Sequence, residues 1–199
     1  MDNALRSAEH AELMFRRRAD LVQQLQSILA GERRPVVWEI GCGHGHFLTA
    51  FAQAHPDRIC IGIDVVGERV ERAERKRVRA GLTNLHFIRA EARLFLATLP
   101  AGVRLAAVII LFPDPWPKLR HRKHRILQPD FLAALAERTA DDGPLYFRTD
   151  HRPYFDAAAA VVAAEPRWQR VDEPWPFEFP TVFQNRAPSF HSLVARRRS

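Results

Sequence analysis

The stretch that decides the fold is Val36-Val37-Trp38-Glu39-Ile40-Gly41-Cys42-Gly43-His44-Gly45. A short apolar run, three of its residues β-branched, passes directly into three glycines at alternate positions. Branched side chains suit a pleated backbone, and glycines let a chain turn tightly and come close to a ligand. Helical periodicity follows from His46 to Ala54. A strand, a glycine turn and a helix form the opening unit of an α/β fold. The alternation continues downstream. ICIGID (59–64), LHFIRAE (85–91), LAAVIILF (105–112) and LYFRTD (145–150) read as further strands, and FHSLVAR near the end as the last. Helical patterns at 67–80, 131–139 and 153–164 separate them. Such alternation, without linker or repeat, predicts one doubly wound, mainly parallel α/β sheet with helices on both faces. Ahead of it, Leu13, Leu21, Leu25, Ile28 and Leu29 mark an amphipathic helix over 8–30 that Gly31 ends. The chain is expected to divide into an N-terminal helical arm, 1–34, and an α/β domain, 35–199.

Composition narrows the class. With 199 residues and 47% hydrophobic content, the chain fills one sizeable core. No apolar run approaches the roughly 20 residues of a membrane helix, and MDNALRSAEHAEL lacks the layout of a signal peptide. The two cysteines, Cys42 and Cys60, have no CxxC or metal-ligand spacing. Neither a disulfide scaffold nor a metal site is expected, no membrane partner is expected, and the cytoplasm is the expected location. The net charge of +7 invites a polyanion. Its distribution says more than its size: KLRHRKHR (118–125) holds five permanent cations and two histidines with no acid. In 68–79 acids alternate with bases at helical spacing, which is the pattern of a solvated helix face.

In a parallel sheet the ligand lies outside the carboxyl ends of the strands, so the residues found there matter most. The first strand ends in Glu39, Gly41, Gly43 and Gly45. A dinucleotide fingerprint would need glycine where His46 stands. Glu39 would also repel a pyrophosphate, whereas it suits a cationic ligand. S-adenosylmethionine, with an ammonium, a sulfonium and no phosphate, is the expected cofactor. Asp64, closing the second strand, is placed to accept hydrogen bonds from a ribose. Glu91, closing the third, is placed either for the adenine end or as an acidic helix cap.

The fourth strand runs into Phe112-Pro113-Asp114-Pro115-Trp116-Pro117-Lys118. Three prolines in five residues stiffen the loop; between them stand a carboxylate and an indole. Here the chain resembles the bacterial tRNA (guanine-N7)-methyltransferases, whose hallmark is FPDPW followed by a basic stretch. The likeness runs from VWEIGCGHGHFL through GIDV, NLHFIRAEA and FPDPWPKLRHRKHRIL to RTD at 148–150, and covers roughly residues 36 to 186. It implies a seven-stranded Rossmann-like methyltransferase fold and methyl transfer from S-adenosylmethionine to N7 of guanine 46 in the tRNA variable loop. Cofactor contacts are implied for Glu39, Asp64, Glu91 and Asp114, with Asp114 also catalytic. Substrate contacts are implied for Lys118, Asp150 and the segment Thr181-Val182-Phe183-Gln184. The chain departs from the family where Gln184 replaces a glutamate and where Ala187-Pro188 replaces a glycine. Lys118, Arg120, Arg122, Lys123 and Arg125 would hold backbone phosphates.

Three rival readings are compatible with these residues. One is a methyltransferase of the same fold acting on another RNA or a small molecule. A second is a non-catalytic RNA-binding protein, and a third a nicotinamide oxidoreductase. Monomer and homodimer both suit the sequence.

Overall fold

The computed structural model describes residues 2–175, 177–179 and 189–199. In chain order the elements are α1 (Asp2–Leu29), β1 (Val36–Ile40), α2 (His46–Ala54), β2 (Ile59–Asp64), α3 (Gly67–Arg79), β3 (Leu85–Arg89) and α4 (Ala92–Thr98). Then come β4 (Leu105–Leu111), a 3-10 helix (Leu119–His124), α5 (Pro129–Arg138), β5 (Pro144–Thr149), α6 (Arg152–Ala164), β6 (Trp168–Val171) and β7 (His191–Arg197). The strands form one seven-stranded sheet in the order β3-β2-β1-β4-β5-β7-β6. β1 to β5 run parallel, and β7 is antiparallel to both β5 and β6. The chain reverses its winding between β1 and β4, so the crevice that accepts ligands in such sheets opens at their carboxyl ends.

Strand side chains alternate between faces, and here both faces are buried. Val36, Trp38 and Ile40 point into a layer with Leu21, Leu25 and Leu29 of α1, Phe95 of α4, Phe131 of α5 and Tyr154 of α6. Trp38 stacks on Phe95 at 4.5 Å between ring centres. Val37 points the other way, into a layer with Phe47, Leu48 and Phe51 of α2 and Val70 and Ala73 of α3. Glu39 shares that second direction, which puts a carboxylate inside an apolar layer. Among the described residues, no helix is long and apolar enough to cross a membrane.

Three elements went unread in the sequence: β6, α4 and the 3-10 helix Leu119–His124 within the basic run. β6 has only four residues, two of them exposed, and gains its identity by pairing with β7. α4 has seven residues and follows β3 with no turn signal; Glu91 caps it by accepting the Leu94 N–H at 2.9 Å.

Gly45 shows why the glycine turn is compact. It is left-handed (φ 70°), and a Cβ there would lie 2.5 Å from a ring carbon of Phe87 and 2.7 Å from the Cβ of Ala73. Gly81 is equally left-handed (φ 65°) with open space around it. Gly45→Ala is therefore expected to cost about 3 kcal/mol, conformational strain plus overpacking, and Gly81→Ala only about 1 kcal/mol. Thermal melts should show a drop of roughly 10 °C for the first and about 3 °C for the second.

Candidate active site

β1 and β2 end side by side, with Ile40 opposite Ile63. The turn that leaves β1 folds back on β2: the N–H groups of Gly41 and Cys42 both reach the Ile63 carbonyl, at 2.8 and 2.9 Å. Asp64 then locks the turn. One carboxylate oxygen accepts the Gly43 N–H at 3.1 Å, the other accepts the Val66 N–H at 2.8 Å, and Arg69 stands 3.7 Å away. Those bonds fix the carboxylate in place while each oxygen keeps a further lone pair for a hydroxyl. Nothing would lie within 4 Å of a Cβ at Gly41 or Gly43, so the turn presents bare backbone to open space.

Glu39 lies beneath this turn. It is 3% exposed, and its Oε2 has no hydrogen-bond partner among the described residues. Burial first, and the charge of Asp64 second, push its carboxyl up to about 8. The Cys42 thiol is raised too, by burial and then by Glu39 and Asp64. An unpartnered buried carboxylate is costly unless something pairs with it. A cation seated above the turn would supply that partner.

The loop between β4 and the 3-10 helix lies on the other side of β1. Its backbone is left-handed at two non-glycine residues, Phe112 (φ 48°) and Trp116 (φ 41°), each costing about 1–2 kcal/mol. The Phe112 N–H bonds to the Arg148 carbonyl of β5 at 2.7 Å. Asp114, between the two, is exposed, as is Asp150 just past the end of β5. Trp116 is half-buried against His124 and His121, at 5.1 and 5.8 Å between ring centres. Lys118, Arg120, Arg122 and Lys123 are exposed. Arg125 is not. It is 4% exposed and turned inward, which corrects the expectation that it belongs to the phosphate-facing run. Thr181, Phe183 and Gln184 lie outside the described residues.

Residues 33–189 match the family model described as "Putative methyltransferase". The chain belongs to this methyltransferase family. Among curated proteins it is 41% identical over 150 residues to a tRNA (guanine-N(7)-)-methyltransferase of Leifsonia xyli subsp. xyli, covering 75% of this chain and 66% of that one. A relative of the same description from Mycolicibacterium paratuberculosis is 39% identical over 174 residues, covering 82% of this chain and 65% of that one. The chain spans roughly half to two thirds of the length of such relatives. Among solved structures it is similar to the 16S rRNA methyltransferase KamB, with a TM-score of 0.62, 19% identity, and coverage of 89% of this chain and 92% of that one. A similar likeness holds to an rRNA methylase from Streptococcus thermophilus, with a TM-score of 0.58, 13% identity, and coverage of 89% and 94%. At those identities the structures establish the shared fold.

In this methyltransferase-family chain the acids are distributed along one sheet edge. Asp64 closes β2, Glu39 sits near the end of β1, and Asp114 follows β4 on the far side of β1. Glu91 is farther out, beside β3. It borders a groove of about 260 Å3 whose other walls include Val65, Ala90, Met14 and Leu21, so α1 contributes one side. The helix cap occupies one Glu91 oxygen. Both of the alternatives open for this residue therefore have a geometric basis.

Sequence reasoning missed Arg148 and Tyr154. Arg148 is 3% exposed, paired with Glu178 at 2.9 Å and stacked on Trp175 and Phe190 at 3.9 and 4.6 Å. Nothing in a strand reading LYFRT announces an inward arginine. Its partners come from 27 to 42 residues away in sequence.

Proposed function

We propose that the chain transfers a methyl group from S-adenosylmethionine to N7 of guanine in tRNA, at guanine 46 of the variable loop. The observation that carries the cofactor assignment is Glu39: a buried carboxylate, unpartnered at one oxygen, under a glycine turn that an aspartate has already fixed. An amino-acid ammonium fits that need, and Asp64 fits ribose hydroxyls. Gly41, Gly43 and Gly45 shape the cradle. The groove beside Val65 and Glu91 suits an adenine ring, with the 1–34 arm as one wall and residues 35–199 carrying the chemistry. The names of the curated relatives support the tRNA substrate. A tRNA-modifying enzyme belongs in the cytoplasm, and we place it there.

When bound, the cofactor supplies an activated methyl group on sulfur. Guanine N7 has a free lone pair and no proton to lose, so no general base is needed. What the protein must do is hold N7 in line with the methyl group at near-attack distance. As the new N–C bond forms and the C–S bond breaks, positive charge moves onto the purine. The carboxylates of Asp114 and Asp150 stabilise that charge or accept the donors of the base edge. Lys118, Arg122 and Lys123, with Thr181, Phe183 and Gln184, complete the substrate contacts in this reading.

Incubation with labelled S-adenosylmethionine and unmodified tRNA, followed by reductive aniline cleavage, tests the proposal. Label at a single N7-methylguanine is expected. Label in another nucleoside would instead support a methyltransferase with a different RNA target, which the departures at Gln184 and Ala187-Pro188 favour over the other rivals.

The exposed cations give a separate expectation. Arg122→Ala with Lys123→Ala should weaken tRNA binding about equally for all tRNAs. The slope of log K against log salt should flatten by about 1 for each phosphate contact removed. An unchanged slope would take both residues out of the interface.

A further inference from the structure

The loop of residues 112–118 has its φ angles restricted by proline but no backbone hydrogen bonds of its own to set its position. Pro113, Pro115 and Pro117 have no N–H, and among the described residues 113–117 make no backbone–backbone hydrogen bond. Yet Phe112 and Trp116 are held in left-handed conformations that persist only where surroundings enforce them. One anchor is the Phe112 N–H on the Arg148 carbonyl. The other is Arg125. Its Nε donates to the Pro115 carbonyl at 2.9 Å, in the middle of the loop, and its Nη1 donates to the Pro153 carbonyl at 3.4 Å, in the first turn of α6. The guanidinium lies 4.6 Å over the Tyr154 ring. The Tyr154 hydroxyl in turn accepts the Ile126 N–H at 3.1 Å, which fixes the backbone next to Arg125.

We propose that Arg125 is a positioning residue for the transfer reaction. It pins Pro115 and so sets where the Asp114 carboxylate and the Trp116 indole stand, and it ties them to the start of α6 beside Asp150. A planar guanidinium suits this role because it donates to two carbonyls in fixed directions while stacking on an aromatic face. A lysine carries its three donors on one rotating nitrogen, with neither fixed directions nor a stacking plane. The other cations of the run, Lys118, Arg120, Arg122 and Lys123, are exposed to solvent, where RNA can reach them. This inference rests on the function proposed above for what it says of turnover, but not for what it says of the loop.

The test compares wild type with Arg125→Ala and Arg125→Lys in three measurements. Turnover with unmodified tRNA should fall roughly 100-fold in Arg125→Ala, the scale expected of a small displacement of reacting groups, with partial recovery in Arg125→Lys. Adenosylhomocysteine affinity and the salt slope of tRNA binding should both stay within two-fold of wild type. Hydrogen exchange should rise at the hydrogen-bonded amides that border the loop, those of Phe112 and His121, and stay unchanged in β1 and β2. Should Arg125→Ala not fold, Arg125→Lys and Tyr154→Phe, which removes only the hydroxyl, provide the same comparison. The proposal is overturned by turnover within two-fold of wild type, by unaltered exchange at the Phe112 and His121 amides, or by a salt slope that flattens as expected for the Arg122 and Lys123 pair. A wild type that leaves tRNA unmethylated would defeat the functional reading instead, and the exchange measurement would still decide the loop assignment.

Discussion

Asp114→Asn is expected to lower methyl transfer to tRNA by roughly 100- to 1000-fold, the range seen when one preorganised electrostatic contact to a transition state is removed. Three features make the effect chemical. The side chain is exposed, so no buried group is left unpaired by the change. Asparagine keeps the shape and one acceptor oxygen but removes the charge that opposes the developing purinium. The flanking backbone is held by anchors at Phe112 and Pro115, which do not involve this side chain. The melting temperature should therefore stay within about 2 °C of wild type, as for most surface substitutions away from special contacts. Single-turnover rates at saturating cofactor and tRNA are the decisive measurement. Wild-type rates would remove Asp114 from the reaction.

Glu39→Gln is expected to produce two opposite effects. With its carboxyl raised to about 8, the residue is protonated in the ligand-free protein at neutral pH. A ligand ammonium pairs with the ionised form, so binding must expel that proton. Adenosylhomocysteine should bind more tightly as pH rises from 6 towards 8, by up to about tenfold per pH unit, and level off beyond. Gln has no proton to release. The variant should lose that pH dependence and bind roughly 100-fold more weakly at pH 8, where an ion pair to a buried charge is lost. Stability moves the other way. The folded value lies above the ordinary value near 4.5, so the neutral form favours folding fully below about 4.5, and that contribution is lost as pH rises through 8. Gln stays neutral throughout, so the variant should be more stable than wild type at pH 8, by a few kcal/mol at most. Calorimetric titrations and thermal melts at pH 6, 7 and 8 test both halves. Equal pH slopes in the two proteins would sink the assignment of Glu39 to a cation.

The accuracy of the sequence reading followed local physics. β1 and β2 occur over the residues that the apolar runs predict, because strands buried on both faces are near-continuous apolar segments, broken in β1 only by Glu39, and bounded by Pro, Gly or acid. The glycine turn, the acids at strand ends and the rigid loop after β4 were legible because each is a residue type at a fixed position in a unit of about 30 residues. β6 was not legible: with Gln169 and Arg170 exposed, its pattern is set by a partner more than 20 residues away. α4 hid between two strands for want of a turn signal.

Within KLRHRKHR, composition treats every cation alike. The sequence by itself determined the doubly wound architecture, the acids along its carboxyl edge and the basic run beside them, since these depend on spacing along the chain. Only the tertiary structure decided that Glu39 is buried beside Asp64, that Arg148 is an inward hub, and that Arg125 faces a tyrosine 29 positions later while Arg122 and Lys123 face water. Orientation of that kind is fixed by the elements that pack around a side chain, and those are distant in sequence.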